Sequence, residues 1–416
     1  TSGYYDAVIT RGTTSVNRYT SLGNIEILVT PKEKSLFGEL VFPENVNPSC
    51  FSRYHSIIPG QHFQISQVSE LHKNLRHSGL FESSNIKTVP RNDAPHIQDV
   101  YIELVPEKTI KFFAGLGLRA NWNDHKVAPQ VYFKMKFNNL DNCGLTLSNT
   151  LKFSTEGNIL DSDLVFPVSS GIDDFNLLSI QSHSNDVQNN DASAYVQALF
   201  LAQRRIFSLI HQLSINYLTE KSSIDNTDID SEDAYSTKLI FPKYQVKADF
   251  SQPNSSISLK TKILGSLESF ASDLSFLQIT STLSLQNRPS ILLLDGQLSF
   301  GKTITEKFNQ FPLSMQFYLG GPGSLRGLSY QELNQGKTFG LLRTSAQIRV
   351  MPSIYTGFFF DNGYCDQDDT ETTQYYPSAG FIATYSTSYG KLDLSIGKQI
   401  DGSTWVILFN AEPDME

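Results

Sequence analysis

The chain has 416 residues, a formal net charge of −9 and a hydrophobic content of 39%. The acidic balance argues against a nucleic-acid partner, because such a protein needs a basic surface. The apolar runs, such as Trp405–Phe409, are far shorter than the roughly 20 residues of a membrane-spanning helix. A transmembrane β-barrel escapes this limit, since only alternate residues of each strand meet lipid.

The N-terminal part, from Thr1 to about Lys108, mixes strands with one clear helix. Apolar residues recur at helical spacing in Ile65–Ser78, and Gly79 follows as the expected C-cap. A short helix near Ser49–Ser56 and the flanking strands complete a predicted β-α-α-β-β module. The predicted strands of the module are Phe37–Phe42, Leu80–Val89 and Val100–Val105, and those of a preceding module are Tyr4–Ile9 and Asn24–Val29.

From Lys111 to Phe409 the sequence alternates between apolar and polar residues, with about 16 strands of roughly 9–12 residues each. A soluble sandwich gives the same alternation, so the connection lengths are more informative. Short and long connectors follow one another, as in a barrel with tight periplasmic turns and long outside loops. The short ones include Asn287–Pro289, Met351–Ser353 and Ser388–Gly390, and the long ones include Thr219–Tyr235, Gly301–Lys337 and Asn362–Tyr376.

Several features give no indication of a chemical site. The three cysteines, Cys50, Cys143 and Cys365, show no metal-binding spacing and cannot all pair within one chain, so we interpret them as incidental. The acidic stretch Ile224–Asp233 is interpreted as a solvated loop. The sequence contains no G-x-S-x-G elbow, no H-E-x-x-H motif and no phosphate loop. We therefore expect no catalytic residue, no metal and no cofactor.

The connector Gly301–Lys337 is much longer than a closing turn requires, and long loops are usually functional or disordered. Its middle reads F-Y-L-G-G-P-G-S-L-R-G-L-S-Y, with one arginine, Arg326. An arginine folded into a barrel needs a carboxylate partner, because an unpaired buried charge is costly. Strand parity turns Asp361 and Gln347 toward the lumen, so Asp361 is the predicted partner of Arg326.

Two motifs carry a resemblance to a known family. The segment G-G-P-G-S-L-R-G at positions 320–327 resembles the loop motif of the BamA/TamA superfamily of POTRA-barrel outer-membrane proteins. The segment F-F-D-N-G at positions 359–363 is similar to that family's F-x-D-x-G strand motif, and the N-terminal module resembles a POTRA domain. Leu328 stands where the motif usually has an aromatic residue, and Gln347 where many members have a glutamate.

The resemblance implies a mostly β fold: a 16-stranded antiparallel transmembrane β-barrel preceded by one or more α+β POTRA domains. Residues 1–33 would end a preceding POTRA domain, residues 34–108 would form a POTRA domain, residues 109–411 the barrel and residues 412–416 a tail. The sixth surface loop, about residues 301–337, would fold inward. Its contact with the lumen would involve Arg326, Asp361, Gln347, Gly327, Gly320 and Gly321.

The first and last barrel strands would form a lateral gate. Gly115 and Gly117 lie in the first strand, Lys111–Trp122, and glycines weaken a strand interior. The last strand, Ser403–Phe409, contains Trp405 and Phe409 and is short. A weakly paired seam offers unpaired backbone groups to an incoming strand, whereas an ordinary closed seam is the alternative.

The function that the resemblance implies is a TamA-like assembly or translocation factor of the bacterial outer membrane. Such a protein helps to insert or secrete client β-barrel or autotransporter-type proteins. Its partners would be client outer-membrane or secreted proteins, membrane lipid, and a periplasmic or inner-membrane protein bound through a periplasmic POTRA region. The alternative is a two-partner secretion transporter that moves an unfolded client through the barrel. A passive porin is disfavoured, since a diffusion pore needs neither Arg326 nor an inward loop.

Overall fold

Two compact units make up the chain in the computed structural model. The first comprises Thr1–Lys111, Phe137–Thr146 and Phe166–Asp174, and the second comprises Phe112–Lys136, Leu147–Val165 and Phe175–Glu416. The structure describes residues 4, 7–17, 22–31, 33–44, 47–121, 126–154, 157–168, 171–186, 192–224, 233–252, 254–289, 291–321, 323–329, 333–366, 374–387 and 390–413.

The first unit contains a two-stranded hairpin followed by a three-stranded sheet with two helical segments. In the three-stranded sheet β5 (Ala94–Pro106) is the central strand, with β3 (Leu36–Val41) parallel and β4 (Phe81–Arg91) antiparallel to it. The chain order β-helix-helix-β-β is the predicted one, although the first helical segment is a 3-10 helix. The elements are β1 (Val8–Asn17), β2 (Leu22–Thr30), β3 (Leu36–Val41), the 3-10 helix Pro48–Tyr54, α1 (Ile65–His77), β4 (Phe81–Arg91) and β5 (Ala94–Pro106).

Helix α1 packs its apolar stripe into the core of this unit. Val68, Leu71 and Leu75 are buried, and Leu71 and Leu75 have no exposed surface. Ser78 caps the helix, and Gly79 takes a φ of +64°, a conformation that glycine adopts without strain. The buried core residues are Phe37, Phe51, Tyr54, Ile57, Phe63, Val68, Leu71, Leu75, Leu80, Val100 and Ile102.

A disulfide bond corrects the interpretation of all three cysteines as incidental. Cys50, in the 3-10 helix, is bonded to Cys143, and their Cα atoms lie 5.2 Å apart across 93 residues of sequence. Cys143 lies in a connector between two barrel strands that is part of the first unit. The interpretation failed because disulfide formation depends on the distance between two cysteines in the folded protein. The spacing of cysteines along the sequence does not reveal that distance. Cys365 is a free, half-buried thiol.

The large sheet has 16 strands, as predicted, and its described pairings are antiparallel. The strands are β6 (Ile110–Asn121), β7 (Lys126–Phe137), β8 (Thr146–Ser154), β9 (Gly157–Pro167), β10 (Phe175–Asp186), β11 (Ala192–Ile206), β12 (Leu209–Ile224), β13 (Asp233–Gln252), β14 (Ser255–Ser266), β15 (Phe276–Asn287), β16 (Leu292–Ile304), β19 (Thr338–Met351), β20 (Ile354–Asp366), β21 (Ser378–Thr387), β22 (Gly390–Gln399) and β23 (Val406–Pro413). Their order in the sheet is β23-β22-β21-β20-β19-β16, followed by β15 to β6 in descending order.

Some strands run further than the sequence pattern indicated. β12 and β13 stay paired as far as Ile224 and Asp233, so every residue of the predicted connector Thr219–Tyr235 that the structure describes is strand. The strands are longer because polar residues do not interrupt a ladder formed by backbone groups. The part of the acidic stretch at 225–232 lies outside the described residues. β23 also continues beyond Phe409, and its last residue, Pro413, pairs with Gly390.

Side chains on the barrel strands alternate between a buried face and an exposed face. On β20 Phe358 is 64% exposed, whereas Phe359 is 3% and Asp361 0% exposed. This period-two pattern places apolar side chains outward and the polar Asp361 inward, as expected for a barrel in lipid. Among the described residues, none of the helices has the length and apolar character needed to cross a bilayer.

Candidate functional site in the barrel lumen

A long connector between β16 and β19 forms the site. Its first part, residues 305–316, is here called the stem and includes the 3-10 turns Phe308–Gln310 and Leu313–Met315. The short strands β17 (Phe317–Leu319) and β18 (Leu333–Gly336) then pair as a hairpin. Residues 320–329, here called the tip, lie between these two strands.

The tip folds tightly because two glycines adopt backbone conformations that other residues rarely adopt. Gly320 and Gly321 have φ angles of 118° and 97°. The N–H of Gly321 lies 3.1 Å from the carbonyl oxygen of Leu325 and 3.2 Å from that of Leu328. Leu325 and Leu328 are buried in a small apolar cluster with Leu319 and Leu341. The tip is thereby a compact unit that holds Arg326 in a defined position.

Arg326 is bound by the carboxylate of Asp361 on β20. Its Nη2 lies 2.6 Å from Oδ1, and its Nε lies 2.8 Å from Oδ2. The backbone N–H of Arg326 also donates to Oδ2, at 3.0 Å. The side chains are 6% and 0% exposed. Two charge-assisted bonds in this forked geometry are among the strong interactions available to an arginine.

Two further contacts orient the guanidinium group. Nη2 of Arg326 donates to the backbone carbonyl of Thr344 on β19, at 2.9 Å. The guanidinium carbon lies 4.3 Å from the ring centre of Phe359, which gives a cation-π contact. Thr344 on β19 and Phe359 and Asp361 on β20 therefore form the binding site for the side chain of Arg326.

Gly327 is a glycine for a different reason from Gly320 and Gly321. A Cβ atom built on Gly327 would lie 2.4 Å from Cβ of Ser378 and 2.8 Å from the carbonyl carbon of Lys398. Ser378 lies in β21 and Lys398 in β22, so the tip touches the wall beyond β20 at this position. No larger residue fits without moving backbone.

Gln347 lies inward on β19 but does not bind the loop. It is 1% exposed and stands opposite Gly357 in the β19–β20 register. Within the described residues, neither its side-chain oxygen nor its side-chain nitrogen has a hydrogen-bond partner. Arg343, four pairs further along, stands opposite Asp361. The structure thus brings together Arg326 and Asp361, while Gln347 remains apart.

The residues named for a lateral gate lie on the two end strands of the sheet order or directly beside them. Gly117 lies in β6, and so does Gly115, where an added Cβ would meet the ring of Tyr132 at 2.0 Å. Gly115 therefore makes room for a neighbouring aromatic ring. Trp405 precedes β23 and Phe409 lies within it, and they are 50% and 55% exposed. β6 and β23 are the two ends of the order of 16 strands.

A polar cavity of about 400 Å³ adjoins Arg326 in the lumen. Charged side chains of both signs line it, including Asp295, Arg343, Lys391 and Asp393. Lys391 and Asp393 form an ion pair at 3.0 Å. Among the described residues, no three His, Cys, Asp or Glu side chains are grouped to hold a metal ion. The cavity therefore presents both cationic and anionic side chains.

The sequence interpretation missed a second contact of the loop with the wall. Glu220 on β12 is 1% exposed and accepts hydrogen bonds from Ser314 in the stem. Glu220 falls inside the segment Thr219–Tyr235 that was predicted to be a connector, so strand parity was not applied to it. If the period-two alternation of β12 is continued to position 220, it predicts that the side chain of Glu220 points inward.

Comparison with known proteins connects this geometry to a family model and to solved structures. Residues 244–401, which include the tip and Asp361, match the model of the Omp85 superfamily domain. No curated protein matches the chain.

Three solved structures share the fold. BamA from Haemophilus ducreyi lacking POTRA domains 1-3 has a TM-score of 0.72 and 14% identity, over 99% of this chain and 90% of that one. CdiB from Acinetobacter baumannii has a TM-score of 0.65 and 12% identity, over 98% and 78%. CdiB from Escherichia coli has a TM-score of 0.60 and 12% identity, over 99% and 79%. The chain thus combines a match to the Omp85 superfamily domain at residues 244–401 with the fold of BamA and CdiB.

Proposed function

We propose that this chain is an outer-membrane barrel that inserts client proteins into the bacterial outer membrane or secretes them. The observation that carries the proposal is the tip of the loop bound inside a 16-stranded barrel by Arg326 and Asp361. This contact lies in the region that matches the Omp85 superfamily domain. The charged lumen and the apolar outer face suit a protein that spans lipid and handles polar chains.

We also propose a TamA-like role, with autotransporter-type or β-barrel proteins as clients. The loop motif at 320–327, the strand motif at 359–363 and the β-helix-helix-β-β module support this assignment. In this proposal the module is a periplasmic POTRA domain, and its sheet edges accept partner or client strands by β-augmentation. The proposed action is not enzymatic, and no cofactor takes part.

The proposed mechanism is addition of a client strand at the seam between β6 and β23. These strands end the sheet order, and unpaired edge groups template further strands. The contact between Arg326 and Asp361 keeps the tip against β20 and its neighbours, close to the β23 end of that order. Its role is to hold this side of the barrel in shape while the seam exchanges partners.

The test uses the purified protein in phospholipid vesicles and a urea-unfolded outer-membrane barrel as client. We expect vesicles that contain the protein to fold the client faster than empty vesicles, as followed by heat-dependent gel mobility. An engineered cysteine pair that joins β6 to β23, in a Cys365→Ser background, should abolish the gain, and a reductant should restore it to the level of the reduced protein without the pair, in which Cys50–Cys143 is also cleaved. Full activity of the locked barrel would contradict strand addition, and no acceleration by the unlocked protein would contradict the proposed function.

The second candidate is transport of an unfolded client through the barrel, as in two-partner secretion. The polar cavity beside Arg326 favours this candidate, because a lumen lined by both signs of charge suits an extended polar chain. Deletion of residues 305–337 should then give a large ion conductance, and the intact protein should export one dedicated client. Insertion of several unrelated barrels by the same protein would favour the first candidate instead.

A further inference from the structure

The stem of the loop is seated on a part of the wall that the tip does not touch. Phe311 is 0% exposed and packs with buried residues of β12, β13, β14 and β15 or their ends. Thr237 donates to the carbonyl of Gln310 at 2.9 Å, and Gln278 donates to that of Met315 at 2.8 Å. The cluster comprises Leu218, Leu239, Phe241, Leu264, Leu274, Phe276 and Phe311.

At the edge of this cluster lies a buried carboxylate, that of Glu220. Its Oε1 accepts from the backbone N–H of Ser314 at 3.2 Å and from the hydroxyl of Ser222 at 2.9 Å. Its Oε2 accepts from the hydroxyl of Ser314. In the part of the chain that the structure describes, these donors are all neutral. Among the described residues, the side chain of Glu220 is thus held in the interior by hydrogen bonds from neutral groups and not by an ion pair.

The two buried carboxylates that anchor the loop, those of Asp361 and Glu220, therefore differ in their chemistry. Asp361 is paired with a guanidinium group that would itself be left buried and unpaired if the contact broke. Glu220 faces neutral groups, and its carboxylate would regain full hydration on exposure to water. Release is consequently less costly at Glu220 than at Asp361.

We infer that Glu220 is the releasable anchor of the loop, so that the stem lifts from β12–β15 while the tip stays bound at Asp361. The chain supports such a motion. The tip is attached to the β17–β18 hairpin, in which Phe317 pairs with Gly336 and Leu319 with Leu333. The stem begins after Ile304 at the end of β16 and ends before Phe317, so it moves as a flap held at both ends.

The position of the two anchors determines where the lumen opens. Glu220 on β12 and Asp361 on β20 are six strands apart in the sheet order. A lifted stem uncovers the wall of β12–β15 and leaves the β19–β22 side closed. Because Phe311 and Leu313 lose their burial, the closed form is the resting state and the open form is a minor population.

The first test measures single-channel openings of the full chain in planar bilayers. Glu220→Gln keeps the shape of the side chain but removes its charge, so the hydrogen bonds between it and Ser314 lose the charge assistance that makes up about half of their strength. We expect openings about tenfold more frequent than in the unchanged protein, since hydrogen bonds to charged groups are the stronger ones. The matched control is Glu268→Gln, since Glu268 pairs with Lys307 of the stem at 2.6 Å but is exposed. The control should not change the openings.

The second test assigns the motion to one end of the loop. In a Cys365→Ser background, Leu313→Cys reports on the stem and Leu325→Cys on the tip, because both leucines are buried. Adding Glu220→Gln should accelerate maleimide labelling at position 313 about tenfold and leave position 325 unchanged. Equal acceleration at both positions, or at neither, would overturn the inference.

A third variant guards against misfolding and tests the specific contact. Ser314→Ala removes only the hydroxyl donor and should raise the openings in the same direction, whereas Ser314→Thr keeps the hydroxyl and should behave as the unchanged protein. The double variant Glu220→Gln with Ser314→Ala should open less often than the sum of the two single effects predicts, because both changes act on the same contact. Additive effects would overturn the assignment to this pair. None of these measurements involves a client, so their outcome is separate from that of the proposed function.

Discussion

The N-terminal module and the barrel are stabilised by opposite arrangements of residues. In the module, apolar side chains such as Leu71 and Leu75 are inside and have no exposed surface. In the barrel, apolar side chains such as Phe358 point outward, while charged Asp361 is fully buried. The module follows the rule for water-soluble folds and the barrel the rule for a protein surrounded by lipid.

This contrast indicates what each region loses when one side chain is changed. Removal of an apolar group from the module leaves a cavity, and the lost burial is the main cost. Removal of one charge from the barrel interior leaves an opposite charge without a partner in a place that water reaches poorly. Truncation of a side chain should therefore destabilise the module through lost apolar burial and the barrel interior through an unpaired buried charge.

The largest effect is expected for Arg326→Ala in the barrel. The substitution leaves Asp361 buried and unpaired, which should destabilise the tip locally by about 3–5 kcal/mol. Hydrogen exchange and protease sensitivity of residues 320–329 measure this change. A matched control is Lys247→Ala, because Lys247 pairs with Asp249 at 2.9 Å while both are about 40% exposed.

A second substitution separates the ion pair from simple packing. If the unpaired carboxylate is the cause, Arg326→Ala combined with Asp361→Asn should recover part of the loss, since the buried charge is removed. Protection of the tip that is unchanged by Arg326→Ala would show that the apolar cluster around Leu325 suffices to hold it.

In the module the corresponding substitution is Leu71→Ala. Leu71 is 0% exposed at the centre of the core, so its truncation should cost about 3 kcal/mol, through lost burial and the cavity left behind. Hydrogen exchange of α1 and β5 in the full chain measures it. Leu298→Ala on the outer face of β16, 49% exposed, is the control and should have much less effect on the barrel. Equal losses would contradict the contrast between the two regions.

Strand parity explains how much of the barrel was predictable. The period of two depends only on local geometry, so the inward direction of Asp361 and the outward direction of Phe358 follow from the sequence of β20 alone. The helix α1 was predictable for the same reason, since its apolar spacing is local. The partner of Arg326 could be named because a carboxylate is what such a charge requires.

Features that depend on contacts between distant segments were not predictable in this way. The disulfide joins Cys50 to Cys143 across 93 residues, and nothing in the local sequence marks the pair. Gly327 is restricted by Ser378 and Lys398, which belong to strands far along the chain. Glu220 was missed because polar residues near the end of β12 were interpreted as a connector although the ladder continues.

A third prediction concerns the disulfide between Cys50 and Cys143, of which Cys50 packs against the apolar core of the module. Cys50→Ser with Cys143→Ser removes a crosslink that closes a long loop, and should lower the stability of the first unit by about 2 kcal/mol. Thermal unfolding with and without reductant measures the effect. Cys365→Ser is the control, because Cys365 forms no disulfide. A reductant should have no further effect on the double variant.

The smallest effect is expected at an ion pair on the module sheet, and it depends on pH. Asp99 accepts from Arg91 at 2.7 and 3.1 Å and from the backbone N–H of Glu39 at 2.8 Å. The pKa of Asp99 is lowered mainly by the hydrogen bonds from Arg91. The hydrogen bond from the backbone N–H of Glu39 lowers it further, whereas desolvation acts in the opposite direction. A built Cβ on Gly38 would lie 1.9 Å from Oδ1, so glycine leaves space for this carboxylate.

The sign of the pH dependence follows from the direction of that shift. A folded-state pKa below the ordinary value of 3.8 means that the unfolded chain takes up the proton first as the pH falls. The stabilisation by Asp99 is therefore complete above its ordinary pKa and is lost as the pH drops through its lowered pKa in the folded protein.

Asp99→Asn should weaken protection of β5 against hydrogen exchange slightly at pH 7, and the difference from the unchanged protein should vanish in strong acid. Hydrogen exchange at the two pH values measures this, with Asp93→Asn, on the turn between β4 and β5, as the control. A difference that persists in strong acid would show that packing around Gly38, and not the carboxylate charge, is what Asp99 contributes.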